Sequence, residues 1–255
     1  MSWNSEQYLK FKTERTQPAI DLASRIPVQS PADIIDIGCG PGNSTDILKK
    51  RYPNASVVGA DNSENMLEAA RKNYTDIEFI LCDASKDLNN IGRKFDVVFS
   101  NACIQWVPDH PKLLREMMSL LKEGGALAVQ IPMNYDEPIH RIIGEAVKSE
   151  KWRDKFSDPR QFYTLTPEKY YDILAEISSD FSMWQTTYFH RMKSHSDIME
   201  WYKSTGLRPY LEALSPADKA EFEKDIFREV EKAYPKQANG EIIFRFPRLF
   251  FTAVK

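Results

Sequence analysis

The chain has 255 residues, of which 42% are hydrophobic and 28% charged. With its glycines the apolar share is about 46%, which excludes an intrinsically disordered chain, a collagen-like repeat and a coiled-coil rod. The 34 basic and 37 acidic residues leave a net charge of −3, which argues against a nucleic-acid partner, whose phosphates call for a basic surplus.

No run approaches the roughly 18 apolar residues of a membrane span. The opening Met-Ser-Trp-Asn-Ser-Glu has neither the basic nor the apolar region of a signal peptide. Cys39, Cys82 and Cys103 are odd in number and show no CxxC spacing. The expectation is a reduced, cytoplasmic, monomeric protein with no disulfide, no membrane partner and no metal site.

The first half alternates strand and helix. Residues 1–25 read as an amphipathic helix behind a loose leader. Ile34–Ile37 is a short apolar strand running into glycines, and a helix follows over 43–50. Residues 56–61 form a second strand. Ser63 is the expected N-cap of the next helix, with Met66, Leu67 and Ala70 at helical spacing. Strands follow at 77–81 and 96–100. A helix over 112–121 is expected to stop at Gly124-Gly125, before a fifth strand over 126–131. Strands this apolar, joined by helices, predict a parallel sheet covered on both faces.

After Pro132 the rhythm changes: 20 of the 30 aromatics lie beyond residue 135. Two or three helices are read over 138–178, with turns at Asp158-Pro159 and Thr166-Pro167. A strand is expected over 183–192, and helices over 195–205 and 216–234. A final strand spans 242–254, its Pro247 suiting an edge or a bulge. The expected fold is α/β, a doubly wound Rossmann-like and mostly parallel sheet. It divides into 1–132 (N-terminal helix and ligand-binding core), 133–241 (helical, aromatic-rich cap holding one core strand) and 242–255 (final strand). Trp184, Tyr188, Trp201 and Tyr202 are read as cap core before substrate contacts.

The sharpest local feature is Asp36-Ile37-Gly38-Cys39-Gly40-Pro41-Gly42-Asn43, between a strand and a helix. A glycine loop there lets a ligand approach the backbone and the helix N-terminus. Dinucleotides and S-adenosylmethionine both use such a loop. The spacing is GxGxG, not GxGxxG. Asp36 would repel a pyrophosphate and attract an ammonium or sulfonium. Asp61 ends the second strand and can accept ribose hydroxyls of either ligand. Asp83, with Ala84, ends the third strand and can accept an adenine amino group, or can serve merely as a cap. Met66 can cover an adenine face, or be core. Cys39 is read as a small apolar residue of the loop. Asn62, beside Asp61, and Asn101 and Gln105, after the fourth strand, complete the candidate cofactor set at the carboxyl edge of the sheet.

The chain resembles the class I S-adenosylmethionine-dependent methyltransferases, and over nearly its whole length the trans-aconitate 2-methyltransferases. The matching stretches are QYLKFKTERTQPA (7–19), DIGCGPGNST (36–45), FSNACIQWVPDH (99–110), GGALAVQIPMN (124–134), WYKSTGLRPYL (201–211) and FRFPRLFF (244–251). The resemblance implies seven strands, the last antiparallel. It implies methyl transfer to a carboxylate of trans-aconitate, giving a monomethyl ester and S-adenosylhomocysteine. One departure is Gln17, where the family pattern has arginine. Another acid acceptor, or a non-catalytic S-adenosylmethionine-binding regulator, are the competing readings.

A carboxylate is ionised near neutral pH and needs no general base, so no catalytic residue is assigned beyond positioning. A polycarboxylate calls for arginine, whose planar fork meets a carboxylate with two hydrogen bonds. Arg208 is the first choice: it precedes Pro209, so an extended backbone is expected there, with Tyr210 close by. Arg15, Arg245 and Arg248 are the others, with a surface ion pair the alternative role for Arg15 and a solvated edge that for Arg248. Arg245 and Arg248 differ by an odd number, which sends them to opposite faces of a regular strand, unless Pro247 between them breaks the alternation. Trp106 and Asn134, on the ligand edge, complete the expected acceptor site.

Overall fold

The computed structural model describes residues 12–156, 162–203 and 205–255, with side chains from Thr16 onward. Helix α1 (Lys12–Ser24) precedes β1 (Asp33–Ile37), α2 (Asn43–Arg51), β2 (Ser56–Asp61), α3 (Glu64–Asn73), β3 (Glu78–Leu81) and β4 (Phe95–Asn101). Then come α4 (His110–Ser119), β5 (Leu121–Pro132), α5 (Pro138–Lys148), α6 (Pro167–Ile177) and β6 (Asp180–Met192). Helices α7 (His195–Lys203), α8 (Arg208–Ala213) and α9 (Pro216–Ala233) lead to β7 (Ile242–Val254). Among the described residues no helix is long and apolar enough to cross a membrane.

The seven strands form one sheet in the order β3-β2-β1-β4-β5-β7-β6. The strands β1 to β5 pair in parallel. Only β7 runs against its neighbours, β5 on one side and β6 on the other. Strand alternation feeds two cores. Ile34, Val97, Phe99 and Phe250 join Ala19, Leu22 and Leu48 on the α1–α2 face. Their chain neighbours Ile35, Val98 and Phe251 join Leu114, Met117, Tyr170 and Leu174 on the α4–α6 face. Successive strand residues point to opposite faces, so a run without polar residues fits a sheet covered on both sides. A third cluster, Ile139, Ile143, Trp201, Tyr202, Phe222, Ile226, Phe244 and Phe246, lies among α5, α7, α9 and the first half of β7.

Several boundaries differ from those expected. Helix α4 ends at Ser119, and Gly124-Gly125 does not stop it. Leu121 already pairs with Phe95, and the register shifts before Ala126 pairs with Val97. The glycines thus lie inside an irregular start of β5, where Gly124 takes a φ of 73°. Thr166-Pro167 is a helix start, not a turn, with Pro167 in the first turn of α6. Asp158-Pro159 lies outside the described residues. Ser63 holds the N-cap position of α3 without a side-chain cap bond. Trp184 and Tyr188 pack against the α1 face of the sheet: Trp184 stacks on Phe250 at 5.2 Å with Arg25 over its ring, and the Tyr188 hydroxyl bonds Asp21. Tyr188 also touches the cap cluster. Strand β7 is interior to the sheet over 248–254, yet Pro247 obeys the edge rule. Its carbonyl accepts from Met133 N at 2.9 Å. Its missing N–H faces that same side, where β5 ends opposite Arg248.

The turn after β1 lies against the loop after β4. Gly38 has φ +75°, and a β-carbon there would sit 2.1 Å from Cys103 Sγ. A side chain at 38 therefore faces backbone strain and collision together. Gly38→Ala should cost about 2–5 kcal/mol, combining left-handed strain and overpacking. Adding Cys103→Gly should recover the collision part only. Chemical denaturation measures both variants, and an unaltered midpoint for Gly38→Ala would contradict the packing described.

Candidate active site

The carboxyl ends of β1, β2, β3, β4 and β5 open on a cavity of about 500 Å³. Its floor is the glycine loop. Gly38 N and Cys39 N donate to the Ala60 carbonyl at 2.7 and 3.1 Å, tying the loop to β2. Gly40 N donates to Asp61 Oδ2 and Ser63 N to Asp61 Oδ1, each at 2.9 Å. A β-carbon on Gly40 would meet nothing within 4 Å, so the backbone here faces open space. Asp61 is held from both sides and still carries unused lone pairs toward the cavity. Desolvation raises its pKa.

Asp36 occupies a different place from the one expected. It is fully buried and does not line the cavity. Its Oδ2 accepts from Ser44 Oγ at 2.6 Å and Thr45 Oγ1 at 2.8 Å, which fixes the first turn of α2 to β1. Its Oδ1 is buried with no partner among the described residues. Burial pushes the carboxyl up to about 6. Any pull of Asp36 on a cationic ligand acts from behind the loop. Gly42, at the N-cap of α2, also stands off the cavity wall.

The other cofactor candidates come together. Gly38, Cys39, Gly40, Asn43, Asp61, Asn62, Met66, Asp83, Ala84, Asn101 and Gln105 all line the cavity. Asp83 Oδ1 accepts from Ser85 N and Oγ, so it also closes its own turn, and these bonds lower its pKa. Asn101 Oδ1 and Gln105 Oε1 are buried acceptors with no hydrogen-bond partner among the described residues. Buried carbonyl oxygens of this kind need donors, and a ligand carrying ammonium and amino groups supplies them. Cys39, Cys82 and Cys103 line the same cavity. Burial raises all three thiols, Cys82 to about 11 and Cys103 to about 12, so none is a thiolate at neutral pH.

Across the cavity stand Trp106, Asn134, His140, Phe162, Trp201, Tyr202, Thr205, Phe246 and Arg248. Trp106 lies on Phe162 at 4.7 Å between ring centres. Asn134 Nδ2 donates to the Tyr202 hydroxyl at 3.0 Å. Arg248 is 4% exposed; its Nη1 donates to Gln130 Oε1 at 3.2 Å and its guanidinium lies 4.4 Å over the Phe246 ring. The solvated-edge alternative for Arg248 is therefore excluded. Arg245 points the other way, as the odd spacing requires, and reaches Glu137 at 3.8 Å.

Arg208 and Tyr210 are not brought to this wall. Arg208 opens α8, and its Nε donates to Glu212 Oε1 at 2.7 Å. The backbone is helical, not extended, because Pro209 falls in the first turn, where a missing N–H costs nothing. The Leu207 carbonyl accepts from Tyr210 and Leu211. Tyr210 packs on Phe156 at 5.3 Å in the cap. The Arg15 side chain lies outside the described residues. His140 and Thr205 also line the cavity and are not among the expected binding residues. An isolated histidine one turn into a helix carries no sequence signal, and only the cap's folding brings it to the cavity.

Residues 34–125 match a methyltransferase domain family. Over 255 residues the chain is 42% identical to the trans-aconitate 2-methyltransferase of Rhodopseudomonas palustris (strain BisB5), covering 99% of each chain. It is 42% identical over 251 residues to the enzyme of that name from Enterobacter sp. (strain 638), covering 98% of this chain and 97% of the other. The fold is shared with the YcgJ protein of Bacillus subtilis (TM-score 0.62, 15% identity, 94% of this chain and 98% of the other). It is also shared with a Haemonchus contortus phosphoethanolamine N-methyltransferase solved with S-adenosylhomocysteine (TM-score 0.56, 21% identity, 94% and 52%). Full-length identity of this extent, on a sheet and cavity of this form, places the chain in the trans-aconitate 2-methyltransferase family.

Proposed function

We propose that the protein uses S-adenosylmethionine to esterify one carboxylate of a small polycarboxylic acid, trans-aconitate being the best candidate. The observation that carries this reading is the division of charge in the cavity. Among the described residues its lining carboxylates, Asp61 and Asp83, stand with the glycine loop, and its lining guanidinium, Arg248, stands on the far wall. No carboxylate of the described residues lines that far wall. A cationic cofactor suits the first side and an anionic acceptor the second.

S-adenosylmethionine, when bound, supplies a methyl group on a positively charged sulfur and leaves as S-adenosylhomocysteine. Asp61 is placed to accept ribose hydroxyls, Met66 to cover the base, and Asn101 and Gln105 to receive N–H donors. Arg248, braced by Gln130 and Phe246, holds a carboxylate of the acid in a planar two-point contact. The acceptor is ionised above its pKa of about 4 and is already the nucleophile. The chain's work is to align it and to strip its water, effects worth up to about 7–11 kcal/mol in well-oriented systems. His110 offers no base at this site: its ring nitrogens contact the Tyr170 hydroxyl and the Ile104 carbonyl at 2.6 and 2.8 Å, and it does not line the cavity.

Incubation with methyl-labelled S-adenosylmethionine and a panel of di- and tricarboxylic acids tests the reading. Base-labile labelled esters are expected from trans-aconitate, and a protein inactive on every acid would overturn it.

Arg248→Ala should lower kcat/KM by about 2–4 kcal/mol, thirty- to a thousandfold, with cofactor affinity nearly unchanged. Arg208→Ala should stay within about threefold of the parent. Steady-state kinetics on both variants decide which arginine holds the acid.

The pH profile follows from the buried groups. Between pH 7 and 8.5 the acceptor, Asp36 and the buried His140 keep one charge state, so kcat/KM should be level. Asp36, raised to about 6, gains a proton below that value. The pull behind the loop then fades, and kcat/KM for S-adenosylmethionine should fall on the acid side. Asp36→Asn should abolish that acid limb. A slope of one persisting above pH 7 would instead mean a general base and a different acceptor.

A further inference from the structure

The far wall holds an imidazole that this reading leaves unused. His140 is the third residue of α5. Its ring stands edge-on to Phe162 at 5.7 Å and to Tyr202 at 5.3 Å. The first of these rings carries Trp106, and the second receives Asn134 through its hydroxyl. His140 Nε2 is buried with no hydrogen-bond partner among the described residues. The residue itself lines the cavity, on the same wall as Arg248. Burial holds the imidazole near a pKa of about 4, so it is neutral in the working range. A neutral imidazole keeps one N–H and one lone pair at every such pH. A buried polar atom left unmatched is costly, and a ligand that supplies the partner recovers that cost.

We propose that His140 determines acceptor specificity by donating a neutral N–H hydrogen bond to a second carboxylate of the acid whose first carboxylate lies on Arg248. The assignment rests on the polycarboxylate reading above. One guanidinium gives general affinity for anions. A second, directional donor on a rigid aromatic frame selects acids with two carboxylates at a fixed separation, because an analogue lacking the group leaves the donor unmatched. Being uncharged, His140 does this without drawing charge from the acceptor as a second cation would. It is a binding and positioning group, and no proton moves through it.

The test uses the full-length protein with trans-aconitate and with the dicarboxylic analogues in which one or another of its carboxylates is replaced by hydrogen. His140→Phe keeps the aromatic edges and removes the donor. Its kcat/KM on trans-aconitate should fall ten- to a hundredfold, carried mainly by KM. The loss should be less than threefold on the analogue that lacks the carboxylate facing His140. His140→Gln restores a neutral N–H and should recover at least several-fold of the loss. Affinity for S-adenosylhomocysteine, read by calorimetry, should change less than twofold in both variants, which separates a site effect from a misfolded cap. A His140→Phe enzyme with parental KM on trans-aconitate, or a Gln variant no better than Phe, would overturn the assignment. A parent enzyme inactive on every polycarboxylate would overturn the functional reading as well, and the parent's own activity tells the two failures apart.

Discussion

The rest of the cavity depends on the close approach of the β1–α2 turn to the loop after β4. With Cys103 where a β-carbon of Gly38 would be, the turn can be made only of backbone. That lets Gly38 N and Cys39 N reach the Ala60 carbonyl and Gly40 N reach Asp61. The same approach sets Asn101 and Gln105 opposite the loop. Ala102 there takes a positive φ of 54°, and its N–H is held by the Gln130 carbonyl at 2.9 Å. A non-glycine residue in that region is strained and persists only where its surroundings fix it. The floor of the cavity and its β4 wall are therefore one packed unit.

The far wall depends on a different constraint, the antiparallel insertion of β7 between β5 and β6. Its second half completes the sheet, and its first half, beyond the end of β5, turns Phe244 and Phe246 into the cap core. Arg248 lies at the junction, opposite Pro132, the last residue of β5. A guanidinium buried there is carried by the sheet and not by a loop. Its hydrogen bond to Gln130 and its contact with Phe246 fix the direction of the fork. A site built on strands is positioned more precisely than one built on mobile connections. In a mechanism that relies on alignment, that precision is the catalytic contribution.

Much of this was legible in the sequence wherever a single local rule decides. Apolar runs ending in glycine gave the parallel strands, and the odd spacing of 245 and 248 separated those two arginines correctly. Asp61, at a strand end, stands where its position implied. The failures turn on tertiary contacts that no local rule carries, in the cap and at the β1–α2 turn. Arg208 was expected on an extended backbone before Pro209, but Pro209 falls in the first turn of a helix and Glu212 takes the guanidinium. Asp36 looked like a ligand contact, but the hydroxyls of Ser44 and Thr45, eight and nine residues on, turn it inward. His140 has no motif around it. Ring contacts with Phe162 and Tyr202, both distant in the chain, define its place.

The central claim is that the cavity is divided by charge, cofactor against Asp61 and acid against Arg248. A crystal structure of the protein with both S-adenosylhomocysteine and trans-aconitate measures this most directly. The account predicts ribose hydroxyls on the Asp61 carboxylate and an acceptor carboxylate forked on Arg248, facing the cofactor sulfur. An acid bound on Arg208, or lying in the cavity without contact to Arg248, would contradict it.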